Sequence, residues 1–222
     1  MIRLYINLTN KCNTECEFCC MYSSPKKNTY LTFDKYKKII DKHSDNFELQ
    51  LEGGEPLLNK DLFLFIEYAI STNRCKKIII LSNGKLLDKF IKRFLEIHEY
   101  YNIPILIKLS VNYWLYNEDK YLLNKLRNYH LATEFIEGFD IKLNVRLRSN
   151  NKDKWLVDKI NEYKLKNISN IYYFQSYGRL TGSKYDKPRI VQNIDNWFIY
   201  SSNGQCFGQD LILRSEYEKG LK

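Results

Sequence analysis

The chain has 222 residues, 44% of them hydrophobic, which is enough for one domain with a sizeable core and excludes a disordered tail. No stretch reaches the roughly 18 consecutive apolar residues of a membrane span. The net charge of +9 indicates either a solvated lysine-rich surface or a basic groove for an acidic peptide, a nucleotide or RNA. Because no basic block alternates with aromatic residues as in RNA-binding motifs, a nucleic-acid partner is not favoured.

The N-terminus and the six cysteines indicate a reducing compartment. Met1-Ile2-Arg3-Leu4 lacks the apolar core of a signal peptide and leads directly into a predicted strand. We therefore expect a cytoplasmic protein without a membrane partner. In such a protein, cysteines bind metal or remain free thiols more often than they form disulfides.

Strands and helices alternate along the chain. Six apolar or alternating runs predict strands, at 4–8, 47–51, 77–81, 105–111, 141–147 and 171–174. Helices are predicted between them, at 33–40 with Thr32 as the N-cap, and at about 61–70, 86–98, 117–135 and 154–164. This α/β alternation, in units of about 35 residues, predicts a parallel sheet built by right-handed crossovers. Six units are too few for a closed eight-stranded barrel.

The last part of the chain has a different pattern. The apolar runs 197–200 and 211–213 flank Ser202-Asn203-Gly204. An Asn-Gly pair between apolar runs is typical of a β-hairpin. We therefore predict a main domain over residues 1–180 and a short C-terminal β-hairpin extension over residues 181–222.

Three cysteines follow the first predicted strand. Cys12, Cys16 and Cys19 have the spacing C-x3-C-x2-C, with Phe18 directly before the third. Soft thiolates this close together suit an iron–sulfur cluster or zinc. Structural zinc normally takes four protein ligands, whereas three cysteines can hold three irons of a [4Fe–4S] cluster and leave the fourth iron open. The triplet alone is also compatible with a zinc knuckle, a redox-active pair or three unrelated thiols.

Cys20 adds a fourth thiol beside the triplet. Two adjacent residues rarely both reach one tetrahedral metal, so we predict that Cys20 is a neighbour and not a ligand.

A second motif, Gly53-Gly54-Glu55-Pro56, ends the second predicted strand. Its glycines let the backbone approach a ligand closely, and Glu55 can accept a hydrogen bond from an ammonium group. The alternative is an ordinary tight turn between a strand and a helix.

The cysteine triplet with Phe18, the strand before it and the Gly-Gly-Glu-Pro loop together resemble the radical S-adenosylmethionine (radical SAM) superfamily, over about residues 4–180. The resemblance implies an open (β/α)6 partial TIM barrel with parallel strands. It also implies a [4Fe–4S] cluster on the three cysteines, whose open iron binds the amino and carboxylate groups of SAM. Reduction by a donor such as flavodoxin or ferredoxin then cleaves SAM to a 5′-deoxyadenosyl radical.

The same resemblance implies further SAM contacts at the carboxyl ends of the strands. Glu55 and the loop backbone would hold the SAM amino group, and Ser82-Asn83 would lie near the SAM-binding face. Ser110 and Asn112 stand where a Ser-x-Asp pattern commonly contacts the ribose or carboxylate, with Asn112 in place of the acid. The remaining two residues of the expected cofactor site are Asn144 and Arg146, which face inward if Val145 faces the helices. Arg146 then pairs with the SAM carboxylate or is an exposed arginine at a strand end.

Tyr177-Gly178-Arg179-Leu180 follows the sixth predicted strand. It resembles the Gly-Arg-Ala segment of radical SAM enzymes whose SPASM or Twitch extension binds auxiliary clusters. Such a cluster normally needs three or four thiolates, and Cys206 is the only cysteine in the C-terminal segment. We therefore expect one cluster, with Cys206 as a vestige, a free thiol or a substrate-facing residue. Cys75 is expected just before the third strand.

The substrate stays open at the level of the sequence. The Gly-Arg segment and the predicted hairpin make modification of a peptide or protein the first hypothesis. A small-molecule or nucleoside enzyme similar to the carboxy-deazaguanine synthases is the second, and a glycyl-radical activase is the third. A non-catalytic metal-binding module is the alternative from another class, and it predicts no SAM binding and leaves the Gly-Gly-Glu-Pro loop unexplained.

Overall fold

The computed structural model describes residues 1–149, 151–181 and 196–222. These residues contain one open sheet of seven strands, in the order β6-β5-β4-β3-β2-β1-β7, and every pair of neighbours is parallel. The strands are β1 (Ile2–Asn7), β2 (Phe47–Glu52), β3 (Cys75–Ser82), β4 (Ile105–Val111), β5 (Phe139–Leu147), β6 (Ser169–Tyr173) and β7 (Trp197–Tyr200). The six predicted strands and their parallel arrangement are confirmed.

Helices connect the strands in the way that a partial TIM barrel requires. They are α1 (Phe33–Lys42), α2 (Leu62–Ser71), α3 (Leu87–Tyr101), α4 (Tyr113–Glu118), α5 (Leu122–Thr133), α6 (Lys154–Glu162) and α7 (Leu211–Gly220). Short 3-10 turns occupy Pro56–Leu58, Lys166–Ile168 and Gly178–Leu180. Within the described part of the chain, no helix has the length and apolar character needed to cross a membrane.

The helices cover one face of the sheet and leave the other face polar. In β5, Leu143, Val145 and Leu147 are buried in the main core, whereas Asn144 and Arg146 between them are half-buried. Successive side chains of a strand point to opposite faces. Asn144 and Arg146 therefore lie on the face away from the main core, which we call the inner face, as the sequence predicted.

Helix α1 forms for the local reasons that its sequence suggested. The side chain of Thr32 accepts a hydrogen bond from the main-chain N–H of Lys35 at 3.5 Å, which confirms the predicted N-cap. Tyr36 and Ile40, on the inward face of α1, are fully buried. The Tyr36 ring stacks on Phe65 of α2 with the ring centroids 4.5 Å apart, and this contact joins the first two helices.

The helix predicted over residues 117–135 is two helices in the structure. Asn112 caps the first of them, because its side chain accepts a hydrogen bond from the Leu115 N–H at 2.9 Å and starts α4 earlier than predicted. Asp119 separates the two helices, and its carboxylate accepts a hydrogen bond from the Tyr121 N–H at 2.9 Å. Asp competes in this way with helical hydrogen bonding, which explains the break.

The C-terminal segment combines a predicted turn with an unpredicted helix. β7 lies parallel to β1 in the same sheet, and the chain turns back at Asn203-Gly204, where Tyr200 forms an antiparallel bridge with Cys206. The return segment is 205–208 and not the run 211–213, which begins α7. Asp210 explains this difference, since its carboxylate caps α7 by accepting two main-chain N–H bonds at 2.9 Å. Part of the predicted extension, residues 182–195, lies outside the described residues.

Candidate active site

The three cysteines of the triplet lie close together in the loop after β1. Burial raises the pKa of the Cys12 thiol to about 12, and nearby Glu55, Cys19 and Cys16 contribute to the rise. Burial also raises the pKa of Cys16 to about 12, again with a contribution from Cys19. Thiols in such a setting become thiolates when a cationic group is present to bind them. Within the described residues, no three Cys, His, Asp or Glu side chains are grouped as the ligands of a single metal ion.

Each of the three sulfurs has a polar neighbour of its own. The side-chain amide of Asn83 lies 3.7 Å from the Sγ of Cys12, and the hydroxyl of Thr14 lies 3.8 Å from the Sγ of Cys16. The main-chain N–H of Ser23 donates to the Sγ of Cys19 at 3.4 Å. Hydrogen bonds to ligand sulfurs stabilise thiolate character and tune iron–sulfur clusters. The N–H donors to the Cys12 and Cys19 sulfurs therefore fit thiolates that ligate one cluster, whereas the Thr14 hydroxyl donates to the Glu118 carboxylate at 3.1 Å.

The two glycines of the Gly-Gly-Glu-Pro loop let this loop pack against the cysteine loop. A Cβ on Gly53 would lie 2.3 Å from the Thr9 carbonyl oxygen, and a Cβ on Gly54 would lie 2.1 Å from that of Lys11. The Gly54 N–H donates to the Thr9 carbonyl at 2.7 Å. The close approach that the glycines permit is thus made to the chain itself, whereas the sequence suggested an approach to a ligand.

Glu55 is fully buried between the second and third strands. Its carboxylate accepts hydrogen bonds from the Ser82 hydroxyl and the Asn83 N–H, both at 2.8 Å, and from the Leu57 N–H at 3.2 Å. Burial raises its pKa to about 7, although these three donors act in the opposite direction. Pro56 follows as the first residue of a 3-10 turn. No salt bridge to Glu55 is found among the described residues, so a ligand ammonium would supply the countercharge that this site lacks.

The inner face of β4 and β5 carries the other predicted contacts. Ser110 and Asn144 are register partners on the two strands, and both are half-buried. Arg146 lies one step further along β5, with its guanidinium 4.4 Å from the Tyr172 ring centroid. One terminal nitrogen of Arg146 is buried and has no hydrogen-bond partner. Such a donor fits a carboxylate. The side-chain oxygen of Asn112 accepts the hydrogen bond that caps α4. Its side-chain amide nitrogen is therefore the group that can contact a ligand.

Phe18 joins the cysteine loop to a small apolar cluster. Its ring lies 4.2 Å from the Phe174 ring and 5.6 Å from the Tyr113 ring, measured between centroids. Tyr113, Phe174 and Leu180 form a buried cluster that is separate from the main core. The aromatic residue before the third cysteine thus helps to anchor the loop against the ends of β4 and β6.

The model of one family, described as the Radical SAM superfamily, matches residues 6–112. The matched range contains the cysteine triplet, the Gly-Gly-Glu-Pro loop and the strand ends up to Asn112. Residues 6–112, just under half of the chain, thus resemble the radical SAM superfamily. This family resemblance implies an iron–sulfur cluster and SAM as cofactors, and the polar groups around the cysteine thiols are compatible with such a cluster.

Curated relatives match less than half of the chain. A probable GTP 3′,8-cyclase from Methanocaldococcus jannaschii is 36% identical over 93 residues, which is 40% of this chain and 31% of that protein. The antilisterial bacteriocin subtilosin biosynthesis protein AlbA from Bacillus subtilis is 30% identical over 107 residues, which is 47% of this chain and 23% of that protein. The matches thus cover less than a third of the length of these relatives.

A solved structure is also similar to this chain. It is that of SuiB from Streptococcus suis bound to S-adenosylmethionine. The superposition has a TM-score of 0.46 with 14% sequence identity. It covers 93% of this chain and 60% of that chain.

The other cysteines lie outside the triplet's sulfur group. Cys75 is the first residue of β3 rather than preceding it, and burial in the main core raises its pKa to about 12. Burial also raises the pKa of Cys20 to about 11, and its thiol is hydrogen-bonded to Tyr177. Cys206 packs beside Tyr200 at the edge of the sheet. All six cysteines are free thiols.

Sequence reasoning missed the polar face of α7 that packs against the ends of β1 and β2. Arg214 forms a buried salt bridge with Glu52 at 2.6 Å. Glu218 is fully buried and accepts hydrogen bonds from the Asn7 amide at 2.9 Å and from the Ser202 N–H and hydroxyl at 2.6 and 2.8 Å. The one sequence signal was the polar character of Asn7 and Glu52 at inward positions of their strands, where they are register partners.

Proposed function

We propose that this chain is a radical SAM enzyme that holds a [4Fe–4S] cluster on Cys12, Cys16 and Cys19 and binds SAM beside it. The observation that carries the proposal is the arrangement around Asn83. Its side chain lies next to the Cys12 sulfur, and its main-chain N–H binds the buried carboxylate of Glu55. The thiols and the carboxylate are therefore adjacent, as is required if one SAM molecule contacts the cluster and Glu55 together. Such a cluster, when bound, supplies one electron that breaks the bond between the SAM sulfur and C5′, which gives methionine and a 5′-deoxyadenosyl radical.

The residues around this site have separable tasks in the proposal. Glu55 accepts hydrogen bonds from the SAM ammonium, and Ser82 and Asn83 hold its carboxylate in place. Arg146 offers its unpaired guanidinium nitrogen to the SAM carboxylate. The amide nitrogen of Asn112 offers a further hydrogen bond to the same cofactor.

Ser110 and Asn144 add two polar side chains to the proposed SAM site, and the apolar cluster around Phe18 excludes water from it. Ser110 and Asn144 contact the ribose from the inner face of β4 and β5, where they are register partners. The apolar cluster around Phe18 keeps water from one side of the loop. Excluding water protects a reactive radical from side reactions.

The substrate that we propose first is a peptide or protein. The Gly178-Arg179 segment after β6 resembles that of peptide-modifying members, and one relative is a bacteriocin biosynthesis protein. A small-molecule or nucleotide substrate is the second candidate, because several relatives are GTP 3′,8-cyclases. We propose flavodoxin or ferredoxin as the electron donor, and a cytoplasmic, reducing setting that suits six free thiols.

The proposal is tested by anaerobic reconstitution with iron and sulfide, followed by dithionite, SAM and detection of 5′-deoxyadenosine. We expect iron loading and 5′-deoxyadenosine in the native protein and their loss in Cys16→Ala. Cys206→Ala is the matched control, since it removes a half-buried thiol outside the triplet and should retain both. Stoichiometric zinc without a cluster would contradict the proposal.

The second readout is SAM binding by calorimetry on the reconstituted protein, which does not require the substrate. Binding without cleavage, followed by cleavage when a candidate peptide or GTP is added, would identify the substrate class. Absence of SAM binding to a fully loaded cluster would contradict the assignment of the cofactor site.

A further inference from the structure

The loop that carries two of the three cysteines has little hydrogen bonding of its own. Between residues 16 and 23, the main-chain bonds within the loop run from the Cys19 N–H to the Cys16 carbonyl at 3.2 Å and from the Tyr22 N–H to the Cys19 carbonyl at 3.4 Å. The loop is neither a helix nor a strand. Its shape must therefore be held by groups from elsewhere in the chain.

Arg179 supplies most of these groups. Its guanidinium donates to the Cys16 carbonyl at 2.8 Å, the Tyr22 carbonyl at 3.2 Å and the Ser23 carbonyl at 3.1 Å. Its main-chain N–H donates to the Cys19 carbonyl at 3.2 Å. One residue thus binds four carbonyls spread from one end of the loop to the other, across more than 150 residues of sequence.

Gly178 allows this contact to form. It has a positive φ of 70°, and a Cβ at this position would lie 2.4 Å from the Cα of Cys20 and 2.9 Å from the Cys19 carbonyl oxygen. Both of these atoms belong to the main chain, so no side-chain movement relieves the overlap. Only glycine lets the segment after β6 approach the cysteine loop this closely.

We propose that Gly178-Arg179 is a positioning element that holds loop 16–23 in the conformation that presents the Cys16 and Cys19 thiols to one ligand. A guanidinium has five N–H donors in a rigid planar fork and is suited to binding several carbonyls at once. Fixing the loop beforehand lowers the entropy lost when a cluster binds. The proposal rests on the proposed function, because the cluster is the ligand that the loop presents.

The positive charge of Arg179 has a second consequence. Its only salt bridge within the described residues is a 3.6 Å contact with Glu15, whose side chain is half exposed. Because this contact is long and partly exposed to solvent, it neutralises little of the positive electrostatic potential that the guanidinium produces at the cysteine loop. A positive charge beside a cluster favours the reduced, more negative state, so Arg179 raises the reduction potential as well as ordering the loop.

The first test uses the metal-free, reduced protein and needs no cluster. Hydrogen exchange of the amides in loop 16–23 and the rate of iodoacetamide reaction at Cys16 and Cys19 are compared in the native protein, Arg179→Ala and Arg179→Lys. Because several hydrogen bonds are lost together, we expect exchange and alkylation to be about tenfold faster or more in Arg179→Ala. The lysine variant should resemble it, because a single ammonium does not reproduce the fork of contacts.

Arg74→Ala is the matched control. Arg74 is another half-buried arginine that donates to a loop carbonyl, that of His43, and its side chain has an exposed fraction of 24% against 21% for Arg179. It lies beside the start of β3, at the opposite end of the strands from the cysteine loop. We expect this variant to lose local stability without any change in loop 16–23.

The second test uses the reconstituted protein. We expect Arg179→Ala to load less iron, to change the electron paramagnetic resonance signal of the reduced cluster and to shift its potential to a more negative value. Arg179→Lys should restore most of the potential, since the charge remains, but not the loop protection in the metal-free protein. Native exchange, alkylation and resonance signal in a folded Arg179→Ala protein would overturn the proposal. Failure of the native protein to bind a cluster would instead contradict the proposed function. The hydrogen-exchange and alkylation measurements on the metal-free protein would still test whether Arg179 orders loop 16–23.

Discussion

The side-chain amide of Asn83 lies 3.7 Å from the sulfur of Cys12, although 71 residues separate them in sequence. The same amide donates to the side-chain oxygen of Asn13 at 2.7 Å, and the Asn83 main-chain N–H binds Glu55. Asn83 therefore couples the end of β3 to both the cysteine loop and the carboxylate that we assign to SAM. A change at this single residue affects two parts of the site in different ways.

We predict that Asn83→Ala lowers the reduction potential of the reconstituted cluster while leaving the Glu55 contact, which uses the main chain. The variant removes a donor from the thiolate of Cys12, and hydrogen bonds to charged groups typically contribute about 1.5–3 kcal/mol. Potentiometric titration measures the shift. Asn117→Ala is the control, because the side-chain oxygen of Asn117 accepts a hydrogen bond from exposed Lys120 and the side chain has no contact with a cysteine sulfur among the described hydrogen bonds. An unchanged potential in Asn83→Ala would mean that the contact with sulfur has no effect on the cluster.

The second prediction concerns the pH dependence of Glu55. Its pKa in the folded protein is about 7 against an ordinary value of 4.5, so the folded state binds the proton more tightly than the unfolded state. The stabilisation from this proton is full below pH 4.5 and is lost as the pH rises through about 7. Denaturant titrations of the metal-free protein should therefore show a decline in stability over this window that is absent from Glu55→Gln.

SAM binding should follow the opposite trend. The ammonium of SAM pairs with the ionised carboxylate, so affinity should rise as the pH increases through about 7. Glu55→Gln should bind SAM more weakly and without this dependence, as calorimetry at several pH values can measure. Glu48→Gln is the control, since Glu48 lies near the start of β2, at the end opposite the Glu55 loop, and pairs with Arg3. A pH-independent affinity in the native protein would contradict the assignment of Glu55.

Gly54→Ala tests the contact between the two loops. The added Cβ would overlap the Lys11 carbonyl oxygen, a main-chain atom, so the cysteine loop must move. Overpacking of this kind typically costs about 1–3 kcal/mol, and we expect that loss together with reduced iron loading. Gly220→Ala is the matched control, because nothing lies within 4 Å of its added Cβ. Thermal unfolding and iron analysis of the two variants provide the comparison, and equal behaviour would show that the loop adapts.

The buried pair of Arg214 and Glu52 gives a fourth prediction. The two side chains have exposed fractions of only 4% and 8%. Arg214→Met should therefore destabilise the protein by about 3–5 kcal/mol, because it leaves a buried carboxylate without its partner. The double variant with Glu52→Gln should recover much of this loss in denaturant titrations.

The exposed pair of Arg93 and Glu67, at 2.8 Å, is the control for Arg214 and Glu52. A salt bridge on the surface contributes about 0–1 kcal/mol, so breaking it should have little effect. Additive losses in the Arg214 and Glu52 double variant would show that these two side chains do not act as a pair.

Much of the fold follows from local patterns in the sequence. The apolar runs of β1 to β6 and the cap at Thr32 depend on neighbours within a few residues, and the structure confirms them. The cysteine triplet and the Gly-Gly-Glu-Pro loop were also recognisable from their spacing. What local patterns did not reveal was the use of the glycines, which pack against the cysteine loop.

Interactions between distant parts of the chain explain the remaining differences. The apolar run 211–213 resembles a strand, but Asp210 caps a helix there and Arg214 finds its partner 162 residues earlier. The contacts of Arg179 with loop 16–23 are of the same kind. Periodicity identifies the face of an element that enters the core, but it does not identify which charged side chain meets which partner on the other face.

The position of β1 between β2 and β7 has a consequence for the order in which the protein folds during synthesis. β1 is made before the other six described strands, yet one of its edges has no partner among them until residues 197–200 have been made. The side-chain amide of Asn7 donates a hydrogen bond to Glu218, which lies 211 residues later and is made after β7. An unpaired strand edge readily pairs with other chains. The nascent chain therefore carries an exposed strand edge from the synthesis of β1 until that of β7, and a chaperone that shields this edge should raise the yield of folded protein.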